Sequence, residues 1–293
     1  MRICFDIGGT SIKYGIADEE DGRIRFLKKE ETPTEAKKIG GVGIEKKILE
    51  LAKMLTEQTS VDGVAISTAG MVDVTTGTIL YANENIPGYT GRNLKTLIET
   101  ELHLPCTVEN DVNCAALGEA IYGAAKGAGS VLCVTVGTGI GGAVVLNGEV
   151  WHGISGSAGE IGYMPMDGRT LEELASTTAM IKNVQKKTGE MLNGRQIFDL
   201  AKKGNKDCMD AIETLCENLG KGIATGICLL NPEAVVLGGG IMSQKEYLQP
   251  LLHKTIQKYV KAVALEKSGI VFAELENDAG MAGAFAVFNR YYL

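Results

Sequence analysis

The sequence predicts an α/β protein made of two related lobes, and three observations carry that reading. Short apolar runs of strand length alternate with segments whose apolar residues recur at helical spacing. A unit of strand, Gly/Thr-rich turn and strand occurs twice: Asp6-Ile7-Gly8-Gly9-Thr10 in the first copy has its counterpart in Thr135-Val136-Gly137-Thr138-Gly139. Similarity at a domain-sized offset indicates duplicated architecture rather than a solenoid. The chain has 293 residues, enough for two packed lobes, since a single core stops growing at about 250–300 residues.

The first lobe opens with Ile3–Phe5, the Asp6–Thr10 turn, Ile12–Ala17 and Arg23–Lys28, which read as a meander of adjacent antiparallel strands. Ile44, Ile48, Leu51 and Leu55 then mark one face of a helix. Val61–Ser67 is strand-like and stops at Thr68-Ala69-Gly70; Leu94, Leu97 and Ile98 indicate a helix. Cys106–Glu109 is a short strand that runs into a helix over Asp111–Tyr122. The second lobe starts with the apolar strand Val131–Val136, the turn Gly137–Gly142 and the return strand Ala143–Leu146, after which Asn147-Gly148 signals a type I′ hairpin. Helices are predicted over Leu171–Lys187, through Ile212, Leu215, Leu219, Ile223 and Ile227, over Tyr247–Val260 and over Ala279–Tyr292. Asn231-Pro232 breaks the second of these, and Ala234–Leu237 is a buried strand ending in Gly238-Gly239-Gly240.

Composition narrows the function classes. Apolar residues make up 45% of the chain and charged residues 22%, as in ordinary globular proteins. No apolar run reaches the roughly 18 residues of a membrane span, and the N terminus lacks a signal-peptide pattern, so a cytoplasmic protein with no membrane partner is expected. Lys and Arg number 29 against 36 Asp and Glu, for a net charge of −7, which argues against nucleic acid as a partner. The seven cysteines form no C-x-x-C pair and read as small buried hydrophobes in a reducing compartment. The three histidines, His103, His152 and His253, share no ligand spacing and read as structural or exposed.

Several segments can carry chemistry. In Asp6–Thr10, two adjacent glycines allow positive φ and close approach of a ligand, consecutive amides can form an anion nest, Thr10 adds a hydroxyl and Lys13 a positive charge. Asp6 suits Mg²⁺, directly or through water. The same segment also reads as a plain hairpin turn. Gly137-Thr138-Gly139 offers a second amide-rich turn, and the pair suggests phosphates gripped from both sides. Gly239 and Gly240 follow a strand C-terminus, where α/β folds collect ligands, although a helix start explains them too. Glu109-Asn110-Asp111-Val112-Asn113 lies where strand meets helix; Asn and Asp are favoured caps, and Asp111 can also be a general base for phosphoryl transfer to a hydroxyl, capping and catalysing at once. In Ser155–Tyr163, small residues bring a loop close to something, with Glu160 as its polar anchor or as a solvated surface carboxylate.

In order and spacing, Asp6–Thr10, Ser67–Asp73, Asn85-Ile86-Pro87-Gly88-Tyr89, Glu109–Glu119, Thr135–Gly142, Ala158–Gly162, Leu171–Ser176 and Leu237–Gly240 resemble the ROK family of sugar kinases and sugar-responsive repressors, within the hexokinase and actin-like ATPase superfamily. The resemblance covers nearly the whole chain. It implies a two-lobed actin-like ATPase fold (ribonuclease H-like) with a central cleft. Residues 1–118 plus 278–293 would form a smaller N-terminal lobe with the last helix packed back on it, and 119–277 the larger lobe. It implies an ATP-dependent kinase that phosphorylates a hexose or hexose derivative, commonly at the 6-hydroxyl, with Asp111 as catalytic base. Asp6, Gly8, Gly9, Thr10, Gly137, Thr138 and Gly139 would surround the phosphates and Mg²⁺, with Gly239 and Gly240 near the nucleoside. Gly70, Asn85, Asn110, Glu160 and Glu172 match sugar-contacting positions. Many relatives carry a His after the Glu-x-Gly loop and a Cys-x-Cys-Gly-x-x-Gly-Cys segment that together bind zinc. Here Tyr163 takes the His position and Tyr163–Leu171 has no cysteine, so no zinc is expected. Tyr163 also points away from plain glucose and leaves N-acetylmannosamine and a β-glucoside as candidates beside it. A sugar-binding transcriptional regulator or a non-catalytic sensor is the alternative. The family's repressors place a helix-turn-helix domain ahead of the first Gly-Gly-Thr turn, and retention of Asp6 and Asp111 argues for catalysis. A homodimer is expected from relatives and from the prevalence of twofold assemblies.

Overall fold

The structure is a computed structural model describing residues 1–292. From the N terminus come β1 (Arg2–Ile7), β2 (Ser11–Glu20), β3 (Arg23–Pro33), α1 (Ala36–Gln58) and β4 (Val64–Thr68). The hairpin of β5 (Met71–Asp73) and β6 (Thr78–Tyr81) precedes α2 (Leu94–Leu102), β7 (Cys106–Asn110) and α3 (Asp111–Tyr122). Next are β8 (Ser130–Val136), β9 (Ile140–Leu146) and the short β10 (Glu149–Val150), β11 (Pro165–Met166) and β12 (Arg169–Thr170). Helices α4 (Leu171–Ala175), α5 (Thr177–Thr188), α6 (Gly194–Lys202) and α7 (Lys206–Leu230) lead to β13 (Ala234–Gly238). The chain closes with α8 (Lys245–Tyr259), α9 (Ala262–Leu265), β14 (Gly269–Phe272) and α10 (Ala279–Tyr292). None of the described helices is long and apolar enough to cross a membrane.

The chain divides into two compact units. One comprises Met1–Gly127, Gly148–Ala158 and Asn277–Leu293; the other comprises Ala128–Asn147 and Gly159–Glu276.

In the first unit the sheet order is β3-β2-β1-β4-β7. The β1–β3 meander is antiparallel, and β4 and β7 add parallel strands beside β1. Strand side chains alternate between faces. Ile3, Phe5 and Ile7, with Val64, Ile66, Cys106 and Val108, form one apolar face that joins Ile44, Ile48, Leu55, Leu94 and Ile98 of α1 and α2 in a core cluster. The opposite face carries Cys4 and Ala65, which cluster with Cys114 of α3 and Met281, Ala284, Phe285 and Phe288 of α10. On this second face, register sets four polar residues side by side across four strands: Lys13 opposite Asp6, Asp6 opposite Ser67, and Ser67 opposite Glu109.

In the second unit β9, β8, β13 and β14 follow the same plan: an antiparallel hairpin, then parallel strands beside its first member. The expected duplication is present in this topology. Here α4–α8 pack on Leu132, Val134, Val235 and Leu237.

One expected helix is two. The apolar period runs unbroken through Leu171–Lys187, but Thr170 and Glu173 form a capping box at the start of α4, and Ser176 is extended (φ −77°, ψ 163°). Ser176 then caps α5 by accepting from the Ala179 amide. A hydroxyl able to end one helix and start the next outweighs the period.

Candidate active site

In the first unit, the predicted residues gather at the C-terminal ends of β1, β4 and β7. Asp6 is the penultimate residue of β1. Its Oδ1 accepts from Ser67 Oγ at 2.8 Å, and its Oδ2 faces Lys13 Nζ at 3.4 Å. The following turn is braced from outside: Gly8 N–H donates to Ser11 O at 2.9 Å, Thr34 Oγ1–H to Gly8 O at 2.6 Å, and Thr34 N–H to Thr10 O at 2.8 Å. Gly9 and Thr10 are exposed at its tip. Neither Gly8 nor Gly9 has positive φ, contrary to expectation; what glycine provides here is open space over the amides, since a Cβ at Gly9 would meet nothing within 4 Å.

Capping at α3 also differs from expectation. The cap is Asn110, whose Oδ1 accepts from Val112 N–H at 2.9 Å and Asn113 N–H at 3.0 Å. Asn110 Nδ2 donates to Gly70 O at 2.9 Å and to Asp111 Oδ1 at 3.0 Å. Asn110, Gly70 and Asp111 are therefore brought together; Asn110 is the cap, and Asp111, in the first turn, shares the Val112 N–H, its Oδ1 accepting at 2.9 Å. An anionic side chain is favoured there by the helix dipole. Asn85 sits apart in an exposed turn, its N–H on Asn83 Oδ1. That turn is pinned by buried Ile86 and Tyr89, and Tyr89 OH lies 2.7 Å from Thr68 Oγ1.

In the second unit, the Gly137–Gly139 turn is closed by Gly137 N–H on Gly139 O at 2.9 Å. The split between α4 and α5 serves this turn, because Thr177 N–H donates to Gly137 O at 2.9 Å and Thr178 Oγ1–H to Thr138 O at 2.7 Å. Glu172 packs beneath it: Oε2 accepts from Ile140 N–H at 2.9 Å, and a Cβ on Gly139 would lie 2.2 Å from that oxygen. Burial first, and the charge of Glu172 second, raise the Glu160 carboxyl above its ordinary pKa. Glu160 and Glu172 thus share one neighbourhood. Its loop lies tight on β9, where a Cβ at Gly162 would sit 2.1 Å from Ile140 O. Tyr163 follows in a single 3₁₀ turn and is 65% exposed. Gly239 has φ 92°, and a Cβ there would come 2.4 Å from Val136 O, so glycine is required.

A cavity of about 300 Å³ in this unit is lined by Gly137, Thr138 and Gly240 together with Thr177, Arg195 and Gln244. The first three were legible from sequence. Arg195 and Gln244 were not, because α6 and the short 3₁₀ turn after Gly239 carry no motif. Missed in the first unit were Ser67, Glu109, His152 and Gly280. A Cβ on Gly280 would lie 2.5 Å from Asp6 Cγ; the sequence trace of that contact is the cluster of small residues Ala279, Gly280, Ala282, Gly283 and Ala284.

With this geometry in place, comparison with known proteins is specific. The ROK family pattern matches residues 2–291. An uncharacterized protein of Clostridium perfringens is 45% identical over 290 residues, covering 98% of this chain and 97% of that one. A β-glucoside kinase of Listeria monocytogenes is 34% identical over 301 residues, covering 97% and 96%. Among solved structures, a ROK family glucokinase from Streptomyces griseus, in complex with glucose and AMPPNP, superimposes with a TM-score of 0.83 at 28% identity, covering 99% of each chain.

Proposed function

The chain belongs to the ROK family, and from that premise we propose that it is an ATP-dependent carbohydrate kinase that transfers a γ-phosphoryl group to a hydroxyl of a hexose or hexose derivative. The observation that carries the reading is the Asn110–Asp111 turn. A carboxylate stands at the first residue of α3 beside the capping asparagine, and its Oδ1 receives the Asn110 side-chain amide and the Val112 N–H, so the turn orients an anionic group able to act as a base.

In this reading Asp111 accepts the proton of the attacking hydroxyl. Asn110 on the same turn, and Gly70 after β4, whose carbonyl accepts from the Asn110 side chain, present polar groups to the sugar, and Asn85, Glu160 and Glu172 bind further sugar hydroxyls. The amides and hydroxyls of Gly8–Thr10 and Gly137–Gly139 hold the phosphates. Gly239, Gly240 and the cavity beside Arg195 and Gln244 take the nucleoside. The glucokinase complex with AMPPNP supports ATP as donor. Asp6 fits magnesium by its chemistry, being a single, partly exposed carboxylate; Mg²⁺ is usually held by one or two carboxylates, waters and substrate phosphates. When bound, the ion would neutralise charge on the phosphates. Lys13, 3.4 Å from Asp6, balances that carboxylate and in this reading meets a phosphate oxygen.

The test is ADP release by purified protein with MgATP and a panel of glucose, N-acetylmannosamine and β-glucosides. Sugar-dependent release with at least one acceptor is expected. Release that is independent of every sugar in the panel would overturn the proposal.

A further inference from the structure

We infer that Glu109 and His152 form a positioning pair that holds the Asn110–Asp111 turn in its working geometry; this rests on the kinase reading above. Glu109 is 2% exposed. Its buried carboxylate has three donors. Oε1 accepts from Asn110 N–H at 2.8 Å and from Asn113 Nδ2 at 2.9 Å, and Oε2 lies 2.6 Å from His152 Nε2. A continuous chain of hydrogen bonds therefore runs from His152 through Glu109 to the Asn110 amide, and from the Asn110 side chain to Asp111.

This arrangement differs from ordinary packing. The face of the sheet that carries Glu109 is otherwise closed by Cys4, Ala65, Cys114 and Phe285, and an aliphatic side chain would fill the position without desolvating a charge. Burying a carboxylate is costly unless it is paired and hydrogen-bonded. Here all three donors belong to the turn or to His152, so the carboxylate's effect falls on the turn. Removing it would leave the Asn110 N–H and the Asn113 amide without their acceptor. His152 is the outer clamp. Its hydrogen bond with Glu109 raises the imidazole above its ordinary pKa, which favours the charged, donating form. Its backbone carbonyl accepts from Ala158 N–H at 3.2 Å, which closes the segment 152–158 on itself. The charged and titratable groups that line the same recess are Glu109, Glu149, Arg290 and Tyr291; only Glu109 is hydrogen-bonded to the ring among the described contacts.

The experiment compares wild type with His152→Ala, His152→Gln and Glu109→Gln in two measurements. In steady-state kinetics, His152→Ala should lower kcat about tenfold or more while the KM for sugar stays within about threefold, as expected of a misplaced general base. His152→Gln, whose amide reaches the site of the imidazole Nε2–H, should recover most of the loss. In hydrogen exchange read by mass spectrometry, His152→Ala and Glu109→Gln should accelerate exchange in residues 109–114 and leave β1 and β4 unchanged. A His152→Ala enzyme with wild-type kcat, or one that loses only KM, overturns the inference. So does unchanged exchange in residues 109–114, whether or not the wild type turns over sugar. Wild-type protein without sugar-dependent turnover is instead a failure of the kinase reading, and exchange then decides the pair on its own.

Discussion

Two glycines three residues apart on α10 should separate function from folding. A Cβ on Gly280 would lie 2.5 Å from Asp6 Cγ and Oδ1, whereas a Cβ on Gly283 would lie 1.7 Å from Cys114 O and 2.3 Å from its carbonyl carbon. Comfortable separations are about 3.5–4.0 Å. In Gly280→Ala the obstacle is the end of a rotatable side chain, so the carboxylate retreats by about 1 Å and loses its bond to Ser67. Because Ser67 is buried, that loss costs about 1–3 kcal/mol, and the better helix propensity of alanine returns about 1 kcal/mol. Stability should fall by no more than about 2 kcal/mol. Asp6, however, leaves its place, and kcat/KM for MgATP should fall about 10–100-fold. In Gly283→Ala the obstacle is the backbone of α3, which cannot rotate away. The helices must part, at about 3 kcal/mol or more, and Tm should fall by about 6–12 °C. Calorimetry and steady-state kinetics on both variants read the contrast. Gly280→Ala with kcat/KM for MgATP within twofold of wild type would refute the role given to Asp6. A Gly283→Ala protein as stable as wild type would refute the packing.

Three further outcomes are expected. Asp111→Asn keeps the volume of the side chain and leaves the cap on Asn110; kcat should drop by about 10²–10⁴ while sugar binding by calorimetry is retained, and near-normal kcat would remove Asp111 as the base. Gly8→Val should fold, since a Cβ there meets only Ser11 O at 3.3 Å, but its methyls should block the amides and raise the KM for ATP; an unchanged KM would mean that this turn holds no phosphate. The Glu109–His152 pair should make stability depend on pH, because the folded imidazole titrates above its ordinary value. Its contribution is fully present below about pH 6.5, the ordinary imidazole value, and is lost as pH rises through the raised folded value. The Tm–pH curve of His152→Gln should lack that component, and parallel curves for the two proteins would show that the pair does not titrate.

The sequence made the local features legible. Asn110-Asp111 ahead of an apolar helical period announces a helix start, and the twin Gly/Thr turns between short apolar runs announce hairpins, because both signals are written in residues that touch each other along the chain. It misjudged Ser176, where a capping hydroxyl and a helical period compete within one window and only the path of the backbone decides. It also could not say which of Asn110 and Asp111 caps α3, since both are good caps and the choice depends on Gly70 O receiving the amide of one of them.

What the chain determined by itself is therefore its alternation of strands and helices, its duplicated plan and the identity of the chemically able residues. Tertiary structure alone decided their company: Lys13, Asp6, Ser67 and Glu109 in one row, Gly280 against Asp6, Glu172 under Gly139, and His152 on Glu109. The physical reason is range. Periodicity and capping act over a few residues, whereas strand register and close packing join residues far apart in sequence, and those contacts set where each charge sits.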